Sequence, residues 1–224
     1  MFGEAVGEIV PLAVGVAISP VPITAVILML LSREAGSNSL AFLAGWVVGL
    51  LAVGAIVLAF GSASSSESGE PSTASGIAKL GFGALFLALA VRNWRARPRP
   101  GQEAEMPGWL GAIDDFTGVK SFGLAFLLSA INPKNLGLTI AAASSIAAVS
   151  LDSGGEIGAF AIFLLIASAT VAAPVFYYSL ATKRAARGLS HLKTWLVANN
   201  NTVMAVLLLV IGAKLIGDGV GILS

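Results

Sequence analysis

Long stretches without a charged residue constrain this chain more than any other feature. A helix needs about 20 consecutive apolar residues to cross a hydrocarbon layer roughly 30 Å thick. Residues 9–32, 35–66, 157–182 and 194–213 each run that far without Lys, Arg, Asp or Glu, the second being apolar only as far as Phe60. Two more runs reach the length if embedded cations are accepted: 76–94 with Lys79 and Arg92, and 121–148 with Lys134. Charged residues make up 11% of the chain and hydrophobic ones 56%, against about 25% charged in an ordinary soluble domain. The expectation is an all-α membrane protein with six transmembrane helices. Residues 1–8 are acidic and lack the basic stretch of a cleaved leader, so the first span is expected to be retained.

The same composition removes whole classes of chemistry. The absence of Cys leaves no disulfide, thiolate nucleophile or sulfur-ligated metal. A single histidine, His191, cannot build a His-rich metal site. A formal net charge of +1 gives no global excess with which to neutralise nucleic-acid phosphates. A phosphate-cradling Gly-x-x-x-x-Gly-Lys-[Ser/Thr] loop does not occur. No enzyme activity, cofactor, metal or nucleic-acid partner is therefore expected.

Orientation follows from where the cations sit. Arg33, then Arg92, Arg95, Arg97, Arg99 and Lys120, then Lys183, Arg184, Arg187 and Lys193 fall in alternate connections and make up ten of the thirteen Lys and Arg. By the positive-inside rule these connections are cytoplasmic and both termini extracytoplasmic. Trp46, Trp94, Tyr177, Tyr178 and Trp195 are expected at the cytoplasmic interface. Residues 61–75 form a Ser/Gly-rich outer stretch. In residues 108–118, Trp109, Leu110, Ile113 and Phe116 share one helical face, which predicts a short helix lying in the interface.

The chain also divides in two. A shift of 113 residues lays Ala17-Ile18-Ser19-Pro20 over Ala130-Ile131-Asn132-Pro133, and puts a proline at the middle of the first and of the fourth span. Two three-span halves insert with opposite orientation because three is odd, which is the inverted repeat of many secondary transporters. The predicted organisation is a first repeat over 1–91, a cytoplasmic linker over 92–120 and a second repeat over 121–224. Pro20 and Pro22 disturb the carbonyls of Val16 and Ile18, and Pro133 that of Ser129, at about 3 kcal/mol or more each in a helix interior. Lipid cannot satisfy freed carbonyls, so these segments are expected to face protein, water or a ligand.

Lys134 is the sharpest oddity. It lies fourteen residues beyond Lys120, about 21 Å along a helix, beside Asn132, Pro133 and Asn135. A cation that deep needs a polar setting, and no acid sits at its depth: Glu8 and Asp218 lie towards the outer surface and the remaining carboxylates in connections. Two ways of holding it stay open. An anionic ligand can supply the charge, with Ser19, Thr24, Asn132 and Asn135 giving hydrogen bonds, or the loosened carbonyls with Asn132 and Asn135 can hold the group themselves, as an ammonium or as an amine left neutral by burial. Lesser features have simpler readings: Lys214 and Asp218 form an i,i+4 pair, and Gly45-x-x-x-Gly49 serves close packing, within the chain or in a homo-oligomer.

Taken together, Ser19-Pro20-Val21-Pro22, the third span from Lys79 through Trp94-Arg95, and Asn132-Pro133-Lys134 resemble the lysine-exporter superfamily across nearly the whole chain. The Ile113-Asp114 stretch and the run from Leu128 to Leu136 are most similar to its sulfolipid-1-addressing, or peptidoglycolipid-addressing, branch. That resemblance implies movement of envelope glycolipids across the plasma membrane. Val21 stands where amino-acid exporters of the superfamily usually have glycine. Three functions follow as expectations: an exporter of an anionic lipid or glycolipid, with Lys134, Asn132, Asn135, Pro133, Ser19, Pro20, Pro22 and Thr24 at its site; an exporter of amino acids or other small metabolites; and a non-transporting scaffold for lipid-synthesis enzymes. The topology is directly testable because the chain has no cysteine. A membrane-impermeant maleimide should label Gly3→Cys in intact cells and label Arg97→Cys only after permeabilisation; the reverse pattern inverts the assignment.

Overall fold

The computed structural model describes residues 1–64, 73–98, 102, 108–149 and 151–224. Seven α-helices carry the fold: α1 (Phe2–Ala17), α2 (Pro20–Leu31), α3 (Ala35–Ser64), α4 (Thr73–Arg95), α5 (Gly118–Ala130), α6 (Pro133–Ala148) and α7 (Ser153–Leu223), with a 3-10 helix over Gly108–Asp115. Among the described residues there is no strand. Four helical stretches are long and apolar enough to cross a membrane: Ala35–Ala59, Gly76–Arg95, Ser153–Leu180 and Ala186–Leu223. The count rises to six if α1 with α2, and α5 with α6, are each taken as one broken span.

The breaks lie at the prolines foreseen for them, but with a different cost. α1 stops at Ala17, and α2 begins with Pro20 in its first position behind an extended Ser19. α5 stops at Ala130, and α6 begins with Pro133 behind Asn132, whose side chain caps the helix. Proline is well placed at a helix start, where its missing N–H has no helical partner to lose. The interior-proline penalty is therefore not incurred; the chain ends one helix and starts another, with bends of 53° and 62°. Both bends fall far short of a reversal, so the chain continues onward through each break.

The fifth and sixth apolar runs emerge as one helical segment, α7, of 71 residues. Straight, it would be about 107 Å long, yet it touches neighbouring points of α1 twice. Thr170 Oγ1 donates to the Ala17 carbonyl, while Ile211 covers Gly15 so closely that an added Cβ would lie 2.6 Å from its Cδ1. The segment must therefore turn back between Thr170 and Ile211. Its first part runs parallel to α1, with Gly158 beside Phe2, and its second part antiparallel, with Lys214 at Glu8.

Glycines let the remaining helices approach closely. α4 lies antiparallel to the second part of α7, with Gly76 against Leu223, Gly83 against Ile216 and Gly212, and Gly219 against the Gly76 carbonyl. At its far end Asn201 Nδ2 donates to the Ala96 carbonyl at 2.6 Å. α3 lies parallel to α5, with Gly45 on the backbone of Phe122 and Gly49 on Ser129. The packing role expected of Gly45 and Gly49 is thus made within the chain.

These pairings give the bundle two ends. One, the acidic end, carries Phe2, Glu8, Gly158, Lys214 and Leu223; the other, the basic end, carries Arg95, Lys120 and the start of α3. Both termini share the acidic end. Trp94, Tyr177 and Trp195 are exposed, as an interfacial belt requires. Trp46 corrects the expectation made for it: it is fully buried, because Phe42, Trp46 and Leu50 recur every four residues on the core face of α3. The short interfacial helix is a 3-10 helix whose Ile113 is buried, tied down by Asn38 Nδ2 donating to the Phe116 carbonyl at 2.7 Å. The expectations for the Ser-rich stretch beyond residue 64 and for Arg99 lie outside the described residues.

The α3–α5 seam yields a stability test. At Gly45 an added Cβ meets the Phe122 carbonyl oxygen, which is backbone and cannot swing aside, whereas at Gly123 nothing lies within 4 Å. Gly45→Ala should lower stability by about 1–3 kcal/mol through overpacking, read as a lower melting temperature in detergent, while Gly123→Ala leaves it unchanged or slightly raised.

Candidate functional site

Ending α1 at Ala17 frees carbonyls that a continuous helix would satisfy. Ser19 N turns to the Ala17 carbonyl at 2.9 Å, so it leaves Gly15 without its usual i+4 donor, and Pro20 and Pro22 offer no N–H to Val16 and Ile18. The last turn of α1 thus presents a cup of oxygens at the negative end of the helix dipole. Lys134, at the second position of α6, reaches into that cup.

All three ammonium hydrogens have acceptors. Lys134 Nζ donates to the Gly15 carbonyl at 2.7 Å, to the Ile18 carbonyl at 3.2 Å and to Ser19 Oγ at 2.6 Å. A primary ammonium has three donors, so its capacity is filled. The residue is 3% exposed, and among the described residues no carboxylate lies within salt-bridge distance of it. Of the two ways of holding this cation that the sequence left open, the carbonyls hold it in this conformation.

The surrounding side chains extend the joint. Ser19 Oγ lies 2.6 Å from the Val16 carbonyl, to which it donates, and 3.2 Å from Asn135 Oδ1. Asn135 Nδ2 donates to the Leu128 carbonyl at 2.9 Å, reaching back across the second break into α5. Asn132 Oδ1 accepts from Lys134 N at 3.0 Å and so fixes the start of α6. Thr139 Oγ1 donates to the Asn135 carbonyl at 2.8 Å. One network therefore ties α1, α2, α5 and α6 together where both spans are broken.

Of the residues read from the sequence, Ser19, Asn132, Lys134 and Asn135 meet directly, and Pro20, Pro22 and Pro133 shape the two breaks. Thr24 is buried one turn into α2 and makes no hydrogen bond to that group among the described residues. Sequence reasoning missed Gly15, Leu128 and Thr170. Gly15 had a signal, since it stands four residues before Ser19 at the break; Thr170 had none, as one hydroxyl in a long apolar run. At the acidic end the expected Lys214–Asp218 pair forms at 2.7 Å, and Glu8 joins it at 3.5 Å, binding α1 to α7.

Comparison with known proteins adds one result. A family model described as Sap, sulfolipid-1-addressing protein, matches residues 9–221. Neither the curated proteins nor the solved structures contain a match.

Lys134→Met tests the joint. It leaves buried oxygens of Gly15 and Ile18 without donors, each costing about 1–3 kcal/mol. The variant should melt well below the parent in detergent, and a melting temperature equal to the parent would show that the ammonium holds nothing together.

Proposed function

The chain belongs to the sulfolipid-1-addressing protein family, and from that premise we propose that it exports an anionic lipid or glycolipid of the cell envelope across the bacterial plasma membrane. The observation that carries this reading is a buried cation, without an acid partner among the described residues, at the joint of two broken spans. In secondary transporters, interrupted helices meeting at mid-membrane are where substrates and coupling ions bind. An anionic headgroup would accept hydrogen bonds from Lys134 in place of the Gly15 and Ile18 carbonyls, with Ser19, Thr24, Asn132 and Asn135 supplying further polar contacts. Releasing those carbonyls loosens α1 from α6, and the two halves then rock to change the side of access.

We read the architecture as six spans in two inverted repeats, 1–91 and 121–224, joined by 92–120. The pairings support it. Exchanging the halves carries the parallel contact of α3 with α5 onto that of the first part of α7 with α1, and returns the antiparallel contact of α4 with the second part of α7 to itself. The basic end is cytoplasmic in this reading and both termini extracytoplasmic. The protein performs no bond chemistry of its own, so uphill movement draws on an ion gradient or on a partner.

Lipids of the outer leaflet and secreted solutes, compared between cells carrying the parent chain, Lys134→Gln or no chain, test the proposal. Lys134→Gln, confirmed to be in the membrane at parental level, should reduce outer-leaflet anionic lipid to the level of cells without the protein. Unchanged lipid with altered solutes would overturn the lipid assignment in favour of a metabolite exporter. Loss of lipid export on deleting residues 97–105 with Lys134 intact would favour a scaffold.

A further inference from the structure

The two repeats read above are not symmetric in their contacts. Exchanging the halves should carry each contact of α1 onto one of α5. The parallel contact of α1 with the first part of α7 has its counterpart in that of α5 with α3. Two other contacts of α1 have none. It packs against α6, with Leu138 over Gly15 and Lys134 Nζ on the Gly15 and Ile18 carbonyls. It also packs against the second part of α7, with Ile211 over Gly15 and Lys214 Nζ 3.5 Å from Glu8. The counterparts would join α5 to α2 and to α4, and neither pair forms a packed interface.

The contacts made and the contacts missing fall at opposite ends. α1 and α6 lie between the breaks and the acidic end, α2 and α5 between the breaks and the basic end. Bent by 53° and 62°, the two broken spans meet along their acidic halves and diverge along their basic halves. Phe42 and Trp46 of α3 and Ile113 of the 3-10 helix share one buried cluster with Val26 and Met29 of α2 and Ala125 of α5. Bulky side chains from elsewhere thus stand in for a direct α2–α5 contact. The 113-residue shift also sets Val21 where α6 has Lys134, and Leu128 where α1 has Gly15. A mirrored closure of α2 on α5 therefore lacks both the ammonium and the bare backbone that seat α6 on α1, and close backbone approach is what holds helices together in lipid.

We propose that the molecule alternates by exchanging these contacts: α1 leaves α6 and the second part of α7 at the acidic end as α5 closes on α2 and α4 at the basic end. The structure shows the state that is shut at the acidic end. The inference deepens the rocking described above and rests on the reading of two inverted repeats, not on the nature of the cargo. Two polar restraints hold this state. The Glu8–Lys214 pair is partly exposed, and such pairs hold weakly. Lys134 is buried, and its bonds to the Gly15 and Ile18 carbonyls and to Ser19 Oγ are charge-assisted, so it is the stronger restraint. An equilibrium between two states moves only through interactions that differ between them, and weakening Lys134 therefore shifts this one.

Double electron–electron resonance on the full chain in nanodiscs tests it, with spin labels placed pairwise in a sequence that has no cysteine of its own. Gly3→Cys with Ala148→Cys reports the acidic end, and Leu31→Cys with Val119→Cys the basic end; all four positions are exposed. With Lys134 intact each pair should give one main distance. With Lys134→Gln the acidic pair should gain a longer component and the basic pair a shorter one, in matching proportions. Ser19→Ala, which removes one of the three acceptors, should do the same to a smaller extent, and it decides the matter where Lys134→Gln does not insert. Unchanged distances in these variants, or both ends moving in the same sense, overturn the proposal. The lipid assignment fails separately: exchange of distances in a chain that exports no lipid leaves this inference standing, and lipid export without the exchange removes this inference alone.

Discussion

The structure depends on how one ammonium group is held where two helices have been cut. Each cut exposes backbone oxygens that hydrocarbon cannot satisfy, and Lys134 brings a charge that hydrocarbon cannot solvate. Put together, the two liabilities cancel: the freed carbonyls of Gly15 and Ile18 and the hydroxyl of Ser19 accept all three hydrogens. The bonds are charge-assisted, hence stronger than neutral ones, and they align with the negative end of the α1 dipole. Yet among the described residues no carboxylate lies within salt-bridge distance of Lys134. The ammonium is hydrogen-bonded to capacity without being neutralised, which is the state an arriving anion can improve upon.

Much of this was legible in the sequence. Apolar run lengths located the four helices long enough to cross a membrane and the two bent helix pairs, and the prolines located both breaks to within a residue or two. The absence of a deep acid singled out Lys134, and the carbonyls of Val16 and Ile18 were named from the i−4 rule and found engaged by Ser19 and Lys134. What could not be read was long-range. Nothing local marks Thr170 as the donor to Ala17, or Leu128 as the acceptor for Asn135, because such partners depend on which helix faces which. Trp46 was misplaced because aromatic residues serve both interfaces and cores. Its spacing with Phe42 and Leu50 carried the information that its residue type did not.

The rest of the bundle is organised by small residues. In a membrane there is no hydrophobic drive to press apolar helices together, so close backbone approach and dispersion contacts do that work. Gly45 and Gly49 seat α5 on α3, while Gly76, Gly83, Gly212 and Gly219 seat α4 on the second part of α7. At the breaks, hydrogen bonds add to such packing: Lys134 holds the Gly15 and Ile18 carbonyls while Ile211 covers Gly15 and Phe86 lies against Gly137.

The seams also cross between the halves of the chain: α3 is clasped by α5, and α4 by the end of α7. Each half is thus packed closely against the other. During synthesis the early helices reach the bilayer before their partners have left the ribosome, with the notches at Gly45, Gly49 and Gly83 unfilled. Those grooves are filled only once the late helices arrive.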